Sequence, residues 1–188
     1  MILGRSGRIF ILMAIETELP NRFLALVSAD APDWDAVYAE QLPRVYNFLR
    51  YRVGNDTIAE DLTSRTFEKA WSARDSYRRD LAGFATWLLR IASNVAIDHL
   101  RAQRLHAPLD DVDKLAADGT PEDHNALASD IARLVALMER LPQREREVLA
   151  LKYGAEATNR TIARLTGLSE SNVGTIIHRA VQTLRELW

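Results

Sequence analysis

The sequence predicts an all-α fold made of two small helical domains joined by a flexible acidic linker. Apolar residues recur at three- and four-residue steps over several long stretches, and no strand-like alternation of useful length appears. Residues 106–125, by contrast, hold no sustained apolar period and are broken by Pro108, Gly119 and Pro121. A chain of 188 residues, 47% of them apolar, has enough material for such cores. The expected division is a leader at 1–32, a helical domain at 33–105, the linker at 106–125 and a second helical domain at 126–188.

In the leader, Arg5 and Arg8 precede the apolar run Ile9–Ile15, which superficially resembles a secretory signal. The run is short, Glu16 and Glu18 follow it, and no A-x-A cleavage site appears. It is also too short to span a bilayer. The expectation is a disordered or partly helical leader, a start at Met1 or Met13, no membrane insertion and a cytoplasmic protein.

In the first domain, Trp34, Val37, Tyr38, Leu42, Val45, Tyr46, Leu49 and Val53 mark an amphipathic helix over Asp33–Val53, bent at Pro43 and ended by Gly54-Asn55-Asp56. Thr57 and Glu60 have capping-box spacing for a second helix, whose apolar face is Ile58, Leu62, Phe67, Ala70 and Trp71. A third helix, about Phe84–Arg104, buries Phe84, Trp87 or Leu88, Ile91, Val95 and Leu100.

In the second domain, Thr120-Pro121-Glu122-Asp123 is a helix start, and Leu127, Ile131, Leu134, Met138 and Leu141 continue the stripe. Pro142 opens a helix running to Tyr153, stopped by Gly154. A short helix, Asn159–Thr166, then ends at Gly167; Leu168 plugs the turn and Ser169 caps a long helix to about Leu187. Ala163 is small where two helices cross, Gly167 supplies positive φ, and Val173 and Ile176 hold the second helix on the first. That is the spacing of a DNA-binding helix-turn-helix. Ser169, Ser171, Asn172, Thr175, His178, Arg179 and Gln182 offer hydrogen-bonding groups of a length that reaches groove edges and phosphates.

The net charge of −2 conceals an uneven spread. The linker carries −5, the second domain +2, and residues 69–104 have seven basic against three acidic side chains. Around that basic stretch, Arg74, Tyr77, Arg78 and Arg79 precede a helix on which Trp87, Arg90, Asn94, Ile97, Asp98 and Arg101 share one side. Cations beside aromatic rings, with an Asn able to read a base edge, suit opened DNA, although a solvated face with buried aromatics fits the spacing equally well.

Several chemistries are excluded or weak. Without cysteine there is no disulfide, no Cys-ligated zinc and no cysteine nucleophile. His99, His106, His124 and His178 lack metal-binding spacing, and Asp110-Asp111 with Asp113 lack the glycine and terminal Glu of an EF-hand. No Gly-rich phosphate loop exists, and no cofactor is expected.

Two motif sets carry a family resemblance. Ala59-Glu60-Asp61-Leu62-Thr63, Thr66-Phe67 and Ala70-Trp71, then Trp87-Leu88, Ile91-Ala92-Ser93-Asn94, Ile97-Asp98 and Leu100-Arg101, resemble the second conserved region of bacterial extracytoplasmic-function (ECF) sigma factors. Leu141-Pro142, Arg144-Glu145-Arg146, Val148-Leu149, Ile162-Ala163, Gly167-Leu168-Ser169 and His178-Arg179-Ala180 resemble their fourth region. The resemblance covers about residues 33–188. It implies a protein that binds core RNA polymerase, recognises the −35 and −10 promoter elements and promotes DNA opening and transcription initiation.

Residue by residue, the resemblance places Asp61, Leu62, Ser64, Arg65, Phe67 and Glu68 at or beside the polymerase contact. Tyr77 and Arg78, with Trp87, Arg90, Asn94, Asp98 and Arg101, fall at the opened −10 element. Ser169, Ser171, Asn172, Thr175, His178 and Arg179 face the −35 duplex. Ser64 and Arg65 stand where relatives usually carry Gln and Glu; Gly174, Ile176 and Thr161 also depart from common residues, so promoter sequence does not carry over. The resemblance further implies an anti-sigma factor as partner. Apart from it, the residues also fit a ligand-sensing helix-turn-helix regulator or a helical adaptor without a DNA role.

Overall fold

Asn55 shows how the first domain is punctuated: its side chain accepts a hydrogen bond from the Ile58 N–H at 3.0 Å and opens a new helix. The structure, a computed structural model, describes residues 34–78, 82–106 and 126–188. Over these residues every regular element is helical. The leader, the linker and the start at Thr120–Asp123 lie outside the described residues.

Helix α1 is Trp34–Val53, continuing through Pro43; α2 is Asp56–Ser72; a 3-10 turn follows at Arg74–Ser76; and α3 is Phe84–His106. Gly54 takes the left-handed conformation, φ 75°, that ends α1. The cap of α2 is thus Asn55 and not Thr57, because the amide side chain two residues earlier already meets the free N–H. Val45, Phe48 and Leu49 of α1, Ala59 and Leu62 of α2, and Leu88, Ala92 and Val95 of α3 are buried, and α2 packs along α3. The hydroxyls of Thr63 and Thr66, buried in α2, donate to the Ala59 and Leu62 carbonyls, so neither enters the core unpaired.

In the second group, α4 is Ala126–Glu139, α5 is Gln143–Leu149, α6 is Asn159–Thr166 and α7 is Glu170–Leu187. The helix expected from Pro142 to Tyr153 is continuous, but it changes geometry after Leu149. After α5 the chain widens into a π turn over Ala150–Gly154, closed by the Ala155 N–H on the Ala150 carbonyl at 3.1 Å. Met138, Leu141, Leu149 and Ala180 form the core, with Leu134, Ile177, Val181 and Leu184 around it. Thr158 and Ser169 cap α6 and α7 through side-chain oxygens that accept from Thr161 and Asn172, and Gly167 makes the turn at φ 74°. Val173 is fully buried, whereas Ile176 is only half-buried; Ile177 and Ala180 complete the hold on the core.

The two groups pack directly on each other within residues 38–188. Tyr51 of α1 lies on the second core. A Cβ at Gly154 would sit 2.8 Å from the Asn47 carbonyl and the Phe48 nitrogen, so only glycine permits this approach. Arg44 donates to the Ala155 carbonyl at 3.1 Å, and the almost fully buried Arg52 donates to the Gln143 carbonyl at 2.9 Å.

Candidate nucleic-acid interface

The stretch between α2 and α3 places three aromatic rings together. Tyr77 lies with its ring centroid 5.3 Å from Phe84, edge-on, and 5.2 Å from Trp87; Phe84 and Trp87 are 5.3 Å apart. All three are half-buried, so the cluster is neither core nor free surface. Spacing marks Phe84 as a core anchor; its position at the first turn of α3, beside Trp87 three residues on, is the signal that it joins Tyr77 instead. Arg78 is exposed beside the cluster, and the Arg74 guanidinium stacks 4.5 Å above the Trp71 ring.

Along α3, Arg90, Asn94, Asp98 and Arg101 are exposed, as their helical spacing requires. They are not equally available. Arg90 donates through Nη2 to the Arg164 carbonyl of α6 at 2.7 Å, and Asp98 pairs with Lys69 at 3.9 Å. The structure thus brings Tyr77, Trp87 and Asn94 onto one side of the first domain while the second domain engages Arg90.

On α7, Ser171, Asn172, Thr175, His178 and Arg179 are exposed on the side away from Val173 and Ala180. Thr175 returns its hydroxyl to the Ser171 carbonyl at 3.1 Å. Ser169 is exposed, but its hydroxyl accepts from the Asn172 N–H at 3.2 Å and so fixes the start of the helix. Arg160 of α6 and Glu170 of α7 pair at 3.1 Å and tie the two helices near the turn.

The α2 surface is a third site. Asp61 and Arg65 form an i,i+4 pair at 2.9 Å, and Glu68 and Ser64 are exposed, with the Ser64 hydroxyl on the Glu60 carbonyl. Phe67 is half-buried against Tyr38, ring centroids 4.6 Å apart, and Tyr38 is 47% exposed. Leu62 belongs elsewhere: at 1% exposure it lies inside the core and supports this surface from beneath. Burial pushes the His99 imidazole below its ordinary value, with Arg65 adding to the effect, and its buried Nε2 has no hydrogen-bond partner.

Among the described residues no group of His, Asp and Glu side chains is arranged to hold a metal, and no helix is long and apolar enough to cross a membrane.

Comparison with known proteins identifies the two groups of helices. Residues 37–106 match the model of sigma-70 region 2, and residues 131–184 match that of sigma-70 region 4. The chain is 31% identical over 173 residues to the ECF RNA polymerase sigma factor BldN of Streptomyces coelicolor, covering 88% of this chain and 66% of that one. It is 31% identical over 157 residues to the RNA polymerase sigma factor CarQ of Myxococcus xanthus, covering 82% of this chain and 88% of the relative. The fold resembles that of the sigma factor RpoE solved with the anti-sigma factor NepR from Bartonella quintana, with a TM-score of 0.69 at 22% identity over 82% of this chain and 96% of the other. Region 2 and region 4 in this order, on an all-helical chain ending in a helix-turn-helix, place the protein among the ECF sigma factors, the non-enzymatic initiation factors that bind core RNA polymerase and direct it to promoters.

Proposed function

We propose that three surfaces divide the work of initiation among them. Helix α2 contacts core polymerase, the Tyr77 cluster and Asn94 hold the opened −10 strand, and α7 reads the −35 duplex. The observation that carries this reading is the contact of Tyr77 with Phe84 and Trp87. Extracting a base costs a few kcal/mol of stacking and pairing. Half-buried rings beside Arg78 return that energy by stacking and by charge on the phosphate. On α7, Arg179 and His178 reach phosphates and base edges, and Asn172 offers the two-sided amide suited to adenine.

The −35 and −10 elements lie about 25 base pairs apart by their own numbering, roughly 85 Å at 3.4 Å per pair. Region 2 and region 4 are hydrogen-bonded to each other through Arg90 and Arg52, so promoter engagement requires these contacts to part. The packed arrangement is therefore a resting form. An anti-sigma factor fits such a cycle: RpoE of Bartonella quintana is solved with one, and here an apolar cavity of about 350 Å³ opens between Leu134, Met138, Tyr153, Leu184 and Trp188. A cytoplasmic location follows from the partners.

Transcription in vitro with core polymerase and a randomised promoter library tests this reading. Selected promoters sharing −35 and −10 motifs are the expected result; no transcript from any library member overturns it.

A further inference from the structure

Between α3 and α5 lies a cavity of about 420 Å³ whose charge is unbalanced. Four arginines line it: Arg52 from α1, Arg101 and Arg104 from α3, and Arg144 from α5. Glu147 is the only carboxylate among the lining residues. It is already engaged: Arg52 Nη2 stands 3.9 Å from it and the Ser93 hydroxyl donates to it at 3.3 Å. Arg52 and Arg104 also converge on Gln143, the first through the backbone carbonyl at 2.9 Å and the second through the side-chain oxygen. Neutral carbonyls orient these guanidiniums without cancelling their charge. Arg101 has no hydrogen-bond or ion-pair partner among the described residues.

Like charges gathered in a partly enclosed space repel one another more strongly than they would in water. At Arg52, burial lowers the pKa, Glu147 offsets this most, and Arg146 outside the cavity and Arg104 within it lower it by smaller amounts. A protein that only needed to hold two domains together would gain more from apolar contact or matched pairs. Arg144 likewise meets only a neutral partner, donating to the Thr166 carbonyl at 3.4 Å, and guanidinium forks lining one space are the arrangement that binds phosphate oxygens, two at a time. The volume falls in the range of small-molecule sites and is far too small for a duplex. Ile97 and Leu100 add an apolar wall on the α3 side, where a flat ring could lie.

We propose that this cavity is a binding site for a small anion carrying consecutive phosphate groups, either inorganic polyphosphate or a nucleoside polyphosphate. Because its walls come from both regions, the occupant bridges them and holds the resting form. Arg101 then serves the ligand when the regions are packed and the −10 strand when they part; this second role rests on the promoter reading above, whereas the binding does not.

The probe is inorganic tripolyphosphate, titrated into the full chain by calorimetry at fixed ionic strength, with adenosine and guanosine triphosphates as parallel arms. One saturable site per chain is expected, weakened at least tenfold by Arg101→Gln and by Arg144→Gln. Arg140→Gln, an exposed arginine outside the cavity, should leave it unchanged. Equal affinity for all three probes identifies phosphate alone as the ligand; a tenfold preference for one nucleotide assigns the apolar wall to its base. Thermal melting reads the same site independently, tripolyphosphate raising the midpoint of the parent chain and not of the folded variants. Non-saturable binding, an equal loss with Arg140→Gln, or a loss confined to the region 2 arginine overturns the proposal. Failure of promoter-dependent transcription would overturn the promoter reading and leave the binding result standing.

Discussion

Arg90 of α3 donates its Nη2 proton to the main-chain carbonyl of Arg164 in α6, 2.7 Å away. A residue on the proposed −10 face is thereby held by the helix preceding the recognition helix. Gly154 belongs to the same contact between regions. Gly154→Ala would drive a methyl group to 2.8 Å from the Asn47 and Phe48 backbone, which cannot move aside as a flexible side chain would. The expected outcome is a larger radius of gyration by solution scattering with helical content unchanged. An unchanged radius would show that the contact survives by local adjustment.

Arg52 is 3% exposed and bonded across the same boundary. Arg52→Ala strands Glu147 and the Gln143 carbonyl, and removing one partner of a buried pair costs about 3 kcal/mol. Urea denaturation should show a lower midpoint, whereas Arg52→Met, which refills the volume, should recover part of the loss.

His99 gives the stability a pH dependence of definite sign. Its folded pKa lies below the ordinary histidine value of 6.5, because burial and Arg65 disfavour the imidazolium more than Asp61 favours it. A group depressed in this way contributes stability above the unfolded value and loses it as pH falls through 6.5 toward the folded value. The urea midpoint should therefore fall from about pH 7.5 to about pH 5.5, and His99→Gln should flatten that fall. A parallel decline in both proteins would assign the effect to other groups.

Tyr77→Ala removes a ring from the cluster with Phe84 and Trp87. Stacking of a base on an aromatic side chain is worth about 1–3 kcal/mol, so promoter opening should weaken by roughly 5- to 150-fold. Permanganate reactivity of −10 thymines measures this directly, and Tyr77→Phe should retain most of the activity.

On the recognition helix, Arg179→Ala should weaken holoenzyme binding to the −35 duplex and lower its salt slope by about 1 if the side chain meets a phosphate. Retention of the slope with relaxed sequence preference would identify a base contact instead.

Local features of this fold are legible in the sequence, and long-range ones are much less so. The helix-turn-helix reads almost residue by residue, because Thr158, Gly167 and Ser169 act on their nearest neighbours. The cap of α2 falls at Asn55 rather than Thr57 for a related reason: several residues at that boundary can cap, and only backbone conformation selects among them. The π turn leaves no sequence signal. Gly154 reads as a helix stop, whereas its reason is the backbone of α1, over a hundred positions earlier in the chain. The aromatic cluster is partly legible, since Tyr77 and Trp87 stand out by type and spacing but Phe84 has the spacing of a core residue. The arginine cavity is not legible, because its four members come from three helices whose meeting no periodicity encodes.

The π turn at Ala150–Gly154 also carries a spare residue. A turn closed by i→i+5 bonds takes about one residue more than an α turn to come round. Deleting a single codon here would let regular helix continue with the downstream backbone leaving in nearly the same direction. It would, however, move Gly154 away from the Asn47 and Phe48 backbone that only glycine can approach. The spare residue thus serves to seat one region against the other, and looser packing between them with each region still folded is the phenotype to expect from its removal.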